Sequence, residues 1–331
     1  MANRQPRITV VSRIALADIR AAAGRIHGRV LRTPVRRSAW LSGVSGANVH
    51  LKLEVVQPTS SYKIRGAFNA ALRVCERAGA GQAPRLVTAS AGNHGRALAY
   101  AARALGLPLT VFIAANAPRA KVDAIRAAGA ELRECRDYDE AERQAKAHAV
   151  GGGGLFISPY SHPDVIAGAG TIGLELFEDL PSIDTVIVPV GGGGLIGGVG
   201  IAVKALSPST RVIGVEVSAS CPFTRSLAAG HLVTIEVGPS LADKLTGNLD
   251  PDTITLDIVR DVVDKIVVVD EPILRRALAG IVTHEHVLIE GAAAAGPAAV
   301  LGGQIELKGN VAVILTGANI DADRLCSALR T

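Results

Sequence analysis

The stretch Thr185–Leu206, TVIVPVGGGGLIGGVGIAVKAL, decides the architecture. Thr185 to Val190 is β-branched or apolar and predicts a strand, Gly191 to Gly194 make a turn, and Leu195 to Leu206 predicts a helix. Val186 to Val203 carries no charge and has the length of a membrane span, but Pro189 and seven glycines break it into strand, loop and helix. A strand that runs through a glycine loop into a helix is half of a βαβ unit. The amides at the start of such a helix attract an anion, and glycines let a phosphate come close. Gly192 to Gly197 also spells G-x-G-x-x-G, with Glu216 closing the next strand about twenty residues on, the spacing of a dinucleotide site. The loop alone points to a phosphate and leaves its owner open.

The same rhythm extends outward. Strands are expected at Arg85 to Thr88, Leu109 to Ile113, Glu131 to Cys135, Arg211 to Val217, Lys265 to Val269 and Val311 to Leu315. Helices are expected at His94 to Leu105, from Pro118 to Gly129, after Pro272, and from Gly291. The strands are continuously apolar rather than alternating, which implies an α/β fold whose mainly parallel sheets are covered by helices on both faces. Gly151 to Gly154 reads as a hinge between two such units. No repeat of fixed period is evident.

Composition narrows the class. The chain has 331 residues, 48% hydrophobic and only 3% aromatic, so its core is built from Ala, Val, Leu and Ile. Disordered, collagenous and disulfide-scaffold proteins are excluded. The net charge of +5 suits an anionic small molecule; a nucleic-acid face would need aromatics interleaved with its basic residues. Cys75, Cys135, Cys221 and Cys326 form no C-x-x-C pair and read as reduced thiols of a cytoplasmic protein. No secretory leader and no membrane segment is read.

Three further loops carry chemistry. Ser60 to Asn69, SSYKIRGAFN, places Lys63 close to Arg65 just before a helix, and a lysine in a positive, partly desolvated setting has a lowered pKa and can act as a nucleophilic amine. Lysine is scarce here, eight residues among the 35 basic ones, which makes Lys63 notable. Thr88 to Gly95, TASAGNHG, opens a helix at a strand end, where amides can hold a carboxylate and Asn93 offers a side-chain hydrogen bond; plain N-capping by Ser90 or Asn93 is the bland alternative. Leu315 to Asn319, LTGAN, lies at another strand's C-terminal end, the edge where ligands of open α/β sheets gather.

SYKIRGA, SAGNHG, VPVGGGGL and LTGAN, in this order, resemble the fold-type II pyridoxal-phosphate enzymes, whose fold is that of the tryptophan synthase β chain. Within that group the chain resembles the serine/threonine dehydratases, which include serine racemase, from about Ile14 to the C-terminus. The resemblance implies pyridoxal 5'-phosphate as cofactor, bound covalently by Lys63. Tyr62 would lie against its ring, where the family usually has Phe. Asn93 would meet the ring hydroxyl, Gly191, Gly192, Gly193, Gly194 and Leu195 the phosphate, and Thr316 the pyridine nitrogen. Ser90, Ala91, Gly92 and His94 would form the loop that receives the substrate carboxylate.

The reaction so implied is β-elimination from L-threonine, L-serine or a related β-hydroxy amino acid, giving a 2-oxo acid and ammonia. Ala91 stands where racemases carry Ser, which disfavours racemisation. The resemblance also implies a large domain of residues 1–80 and 160–331, a small domain of residues 81–159 that closes over the site, and a homodimer or homotetramer. No metal site is read, although Glu216 is a weak candidate next to Pro222, where a second carboxylate is expected. Ala242-Asp243-Lys244 replaces A-D-G, and Glu290-Gly291-Ala292-Ala293 replaces E-P-S/T-G/A. These departures keep open a dehydratase for 3-hydroxyaspartate, phenylserine or a hydroxyectoine-derived compound, or a β-replacement enzyme. An NAD-dependent dehydrogenase is the distant alternative.

Overall fold

A computed structural model describes residues 14–78, 84–180 and 182–330. Ten strands occur among them: β1 (Val35–Arg37), β2 (Asn48–Leu53), β3 (Leu86–Ala89), β4 (Leu109–Ala114), β5 (Glu131–Cys135), β6 (Leu155–Phe156), β7 (Thr185–Pro189), β8 (Arg211–Val217), β9 (Lys265–Val269) and β10 (Asn310–Leu315). They form a six-stranded sheet, β1-β2-β10-β7-β8-β9, and a four-stranded sheet, β5-β4-β3-β6. Every pairing is parallel except β1 with β2. The α/β fold with helix-covered, mainly parallel sheets follows as expected from the apolar strands, since β7 is buried along its whole length.

Helices cover both faces of each sheet. On the larger sheet, Glu271–Gly280 and Gly291–Leu301 pack over Leu51, Ile187, Val215 and Val313, while Gly194–Leu206 lies over Val186, Val188 and Ile314 on the other face. The Ala-rich helix can approach this closely because Ala292 to Ala295 present only methyl groups. On the smaller sheet, Asn93–Leu105 packs over Leu86 and Val111, and Tyr138–His148 covers Val87, Ala89 and Phe112. The helix Lys63–Ala78 shares the first of these clusters through Ile64, Phe68 and Val74.

Gly151 to Gly154 is not a hinge between units. The segment Ala149–Gly153 is a wide helical turn that continues the helix Tyr138–His148, and it delivers the chain into β6 inside the smaller sheet. Leu155 N–H donates to the Arg85 carbonyl at 2.8 Å, so the glycines make a tight return within one layer. The chain leaves that layer at Ile157 to Pro159. The expected boundary between residues 80 and 81 lies outside the described residues.

Candidate active site

Four loops meet at the C-terminal edges of the two sheets. The glycine loop is shaped by what its neighbours leave no room for. Gly193 has φ +85°, which favours glycine, and a Cβ there would lie 2.4 Å from the Phe223 ring. At Gly192 a Cβ would lie 2.2 Å from the Tyr160 ring, and the Gly192 carbonyl accepts from Thr255 Oγ1 at 2.8 Å. The helix Gly194–Leu206 starts here, so its first-turn amides open onto a cradle with no side chains.

Lys63 opens the helix Lys63–Ala78, and its Nζ donates to the Pro159 carbonyl at 2.6 Å. The next residue, Tyr160, is the one pressed on Gly192, so the amine and the anion cradle are one residue apart along this segment. The loop before Lys63 is stitched to the LTGAN loop. Tyr62 N–H donates to the Thr316 carbonyl (3.0 Å), Ala318 N–H donates to the Ser60 carbonyl (2.9 Å), and Ser61 bridges Gly317. Ser60 takes φ +54° to make that turn. Thr316 is buried.

Arg65 does not lend its charge to Lys63 as the sequence suggested. Two residues apart on a helix means opposite faces. The Arg65 guanidinium is fully buried and bonded to Glu54 (2.8 Å through both Nε and Nη2) and Glu175 (2.6 Å), and Lys52 completes the cluster on Glu175 at 2.6 Å. Burial alone would push the Glu54 carboxyl up; the Arg65 charge and hydrogen bonds override it and hold Glu54 below its usual value. The cluster anchors the helix that carries Lys63.

On the smaller sheet, Gly92 caps the helix Asn93–Leu105, and Ser90 Oγ accepts from Gly92 N–H at 3.2 Å. Ala91 is half-buried beside it. His94 Nε2 donates to the Ile157 carbonyl (3.2 Å), and burial, with Lys63 close by, pushes the imidazole down to about 3, so it is neutral. Asn93 Nδ2 donates to both Glu290 oxygens (2.9 and 3.1 Å), and its Oδ1 accepts from Asn319 Nδ2 at 2.8 Å. Lys244 pairs with Glu290 at 3.3 Å and with Asp243 at 3.0 Å.

The donor set fits pyridoxal phosphate. Among the described residues buried Thr59 Oγ1, Ser61 Oγ and His94 Nδ1 have no hydrogen-bond partner, and Gly192 to Gly194, packed too closely for any Cβ, offer an anion their backbone amides alone. A dinucleotide fits poorly, because Glu216 is spent. It is fully buried and caps the helix Pro222–Ala229, accepting from Phe223 N–H (2.9 Å), Thr224 N–H (2.8 Å) and Thr224 Oγ1 (2.6 Å). Among the described residues no group of three His, Cys, Asp or Glu side chains is placed to hold a metal.

Sequence reasoning missed Pro159, Tyr160 and the charge cluster behind Tyr160, and gave Asn319, read within LTGAN, no role of its own. There the Tyr160 hydroxyl accepts from Asp250 N–H at 3.1 Å, and Lys146 pairs with Glu142 (3.2 Å), Asp250 (3.4 Å) and Asp252 (3.2 Å). A carbonyl has no side-chain signature, but SPYS at Ser158 to Ser161, an aromatic among turn residues, was a readable signal.

Residues 26–317 match the family described as pyridoxal-phosphate dependent enzymes, and the chain belongs to that family. It is 39% identical over 314 residues to an L-threonine ammonia-lyase of Thermotoga maritima, covering 94% of this chain and 77% of that one. The fold superposes on a maize serine racemase with a TM-score of 0.88 at 32% identity, covering 96% of this chain and 97% of that one. The processed form of threonine deaminase isoform 2 from Solanum lycopersicum gives 0.86 at 30% identity, covering 95% of this chain and 91% of that one. The protein is therefore a fold-type II pyridoxal-phosphate enzyme of the dehydratase type, a lyase, and no described helix is long and apolar enough to cross a membrane.

Proposed function

We propose that the chain is an ammonia-lyase for L-threonine, L-serine or a related β-hydroxy amino acid, releasing a 2-oxo acid and ammonia. The observation that carries the reading is the adjacency of a primary amine and an anion cradle: Lys63 Nζ sits 2.6 Å from the Pro159 carbonyl, and Tyr160 seals Gly192. Bound pyridoxal phosphate supplies an electron sink for the carbanion formed at the substrate α-carbon. Lys63 would hold the cofactor, and its amine would serve as the base for the substrate α-proton. Gly191 to Leu195 bind the phosphate, Asn93 the ring hydroxyl and Thr316 the pyridine nitrogen, with Tyr62 against the ring. The Ser90–His94 loop directs its amides to the substrate carboxylate.

Thr316 offers a neutral hydroxyl, which does not hold the pyridine nitrogen protonated as a carboxylate would, and this favours loss of the β-hydroxyl. Ala91 supplies no second acid or base, so racemisation is disfavoured. Lys244 is already engaged by two carboxylates, which favours threonine and serine over an acidic substrate such as 3-hydroxyaspartate. Residues 81–159 form the unit that closes over the site and excludes water, against residues 1–80 and 160–331. A cytoplasmic setting agrees with four free thiols, and a homodimer or homotetramer rests on the family likeness.

The test is absorbance of the protein with pyridoxal phosphate, followed in the same cuvette by L-threonine, L-serine and L-threo-3-hydroxyaspartate with 2-oxo acid recorded. A visible band that changes on substrate addition, with oxo acid from threonine or serine, is expected. Lys63→Ala should lose the covalent band and at least about a hundredfold of turnover. A band without turnover on any of the three would overturn the substrate reading.

A further inference from the structure

We propose that Lys244 is a positioning residue for the cofactor's ring hydroxyl: it pairs with Glu290, favours the ionised form of that carboxyl and thereby strengthens the hydrogen bond that holds the Asn93 amide beside that hydroxyl. The proposal rests on the placement of Asn93 at the ring hydroxyl given above. Glu290 is 2% exposed, and its two oxygens take Asn93 Nδ2 and the Lys244 ammonium. Among the described residues Lys244 is the one cation within ion-pair distance of Glu290. Burial favours the neutral acid and raises the Glu290 carboxyl, and the ammonium is the largest opposing influence.

The charge matters because it sets how firmly the amide is held. An ionised Glu290 offers only acceptors, so Asn93 must present Nδ2 to it and Oδ1 to Asn319. A protonated Glu290 carries a donor of its own and the Nδ2 contact loses its charge assistance, while Asn319 Nδ2, which also donates to the Thr59 carbonyl at 2.9 Å, keeps the Oδ1 side in place. The charge on Glu290 therefore reaches the cofactor's ring hydroxyl through the strength with which the Asn93 amide is held.

Lys244 is built to reach this point. A Cβ on Gly191 would lie 3.0 Å from the Lys244 carbonyl, while the Lys244 ammonium donates to the Asn319 carbonyl at 3.1 Å. One residue therefore spans from the phosphate cradle to the Asn93 cluster.

The other charges facing Glu290 do not replace it. Asp243 is the second carboxylate, and its Oδ2 is taken by Arg324 (3.0 Å) and Lys121 (3.7 Å). Arg96 reaches the cluster only through Asn319 Oδ1 at 2.7 Å. Asp243 thus has cations of its own, and Lys244 remains available to Glu290.

The experiment reconstitutes wild type, K244M, K244R and K244M/E290Q with pyridoxal phosphate and titrates the visible absorption of the bound cofactor with pH. K244M should move the midpoint of the spectral change upward by about 1–3 pH units, K244R should titrate like wild type, and K244M/E290Q should lose the transition. Titration of K244M at the wild-type midpoint, or persistence of the shift in the double variant, would overturn the proposal. If K244M does not retain the cofactor, E290Q in the same chain should restore it, because no buried anion is left; failure to restore also overturns it. The titration needs no turnover, so a wrong substrate assignment would show as missing oxo acid with this spectral behaviour intact.

Discussion

Two loop-to-helix junctions grip the candidate site from different directions, and they are built in opposite ways. At Gly191 to Gly194 the chain is positioned by closeness: neutral backbone lies against Tyr160, Phe223 and Thr255, with no side chain between. At Ser60 to Lys63 it is positioned by charge: the helix that follows is nailed down by Arg65 between Glu54 and Glu175. The first junction is packed too closely for side chains, so what it can offer an anion is backbone amides. The second must aim one flexible amine, so its anchor sits on the far face of the helix, where ion pairs cannot interfere with the lysine.

Breaking each junction should give different losses. Arg65→Met removes the guanidinium from buried Glu54, leaving Lys52 on Glu175, and should cost about 3–5 kcal/mol in urea unfolding. Cofactor retention by the folded fraction should survive, since the cradle is untouched. Gly193→Ala combines left-handed strain with a clash on Phe223 and should cost about 2–4 kcal/mol, with cofactor retention lost first, read as the half-saturating pyridoxal phosphate concentration. If both variants lost cofactor and stability in step, the two junctions would be one cooperative unit and the contrast would fail.

A smaller effect separates the two sides by the sign of their pH dependence. Behind the glycine loop, burial and the neighbouring Asp250 push the Glu142 carboxyl up to about 7 from its ordinary value of 4.5. The folded state binds that proton more tightly, so its stabilising effect is present at low pH and is lost as pH rises from 4.5 through about 7. Beside Lys63, His94 is held at about 3 against an ordinary value of 6.5, so its contribution is present above 6.5 and is lost as pH falls towards 3. Thermal melts across this range should show Glu142→Gln flattening the first slope and His94→Gln the second. Identical pH profiles for the two variants would contradict the assignment.

Much of this was legible in the amino-acid order. β5, β8 and β9 fall at the residues expected, and the helix Asn93–Leu105 begins one residue early. β8 and β9 announce themselves as β-branched, mostly apolar runs, whereas β5, a largely exposed ELREC, is marked by Gly129 closing the segment before it. β1, β2 and β6 were not foreseen. β6 has two residues, too few for a period, and β2 carries the fully buried Lys52, whose partners come from the remote residues Thr33 and Glu175. The same difference runs through the site. The glycine cradle reads directly because backbone geometry leaves a compositional trace. The Asn93–Glu290–Lys244 chain joins residues far apart in sequence, and Arg65 looked like a neighbour of Lys63 until the helix turned it away.

The Pro159 carbonyl that receives Lys63 has an evolutionary consequence. An acceptor that belongs to the main chain cannot be deleted by a point mutation, because every amino acid at position 159 would still carry it. Genetic drift can alter the ring, and with it the course of the chain, but the parking place for the amine is inherited with the polypeptide itself. Selection on it must act on the bend at residues 157–160, so variation there should be tolerated only where it preserves the path of the backbone.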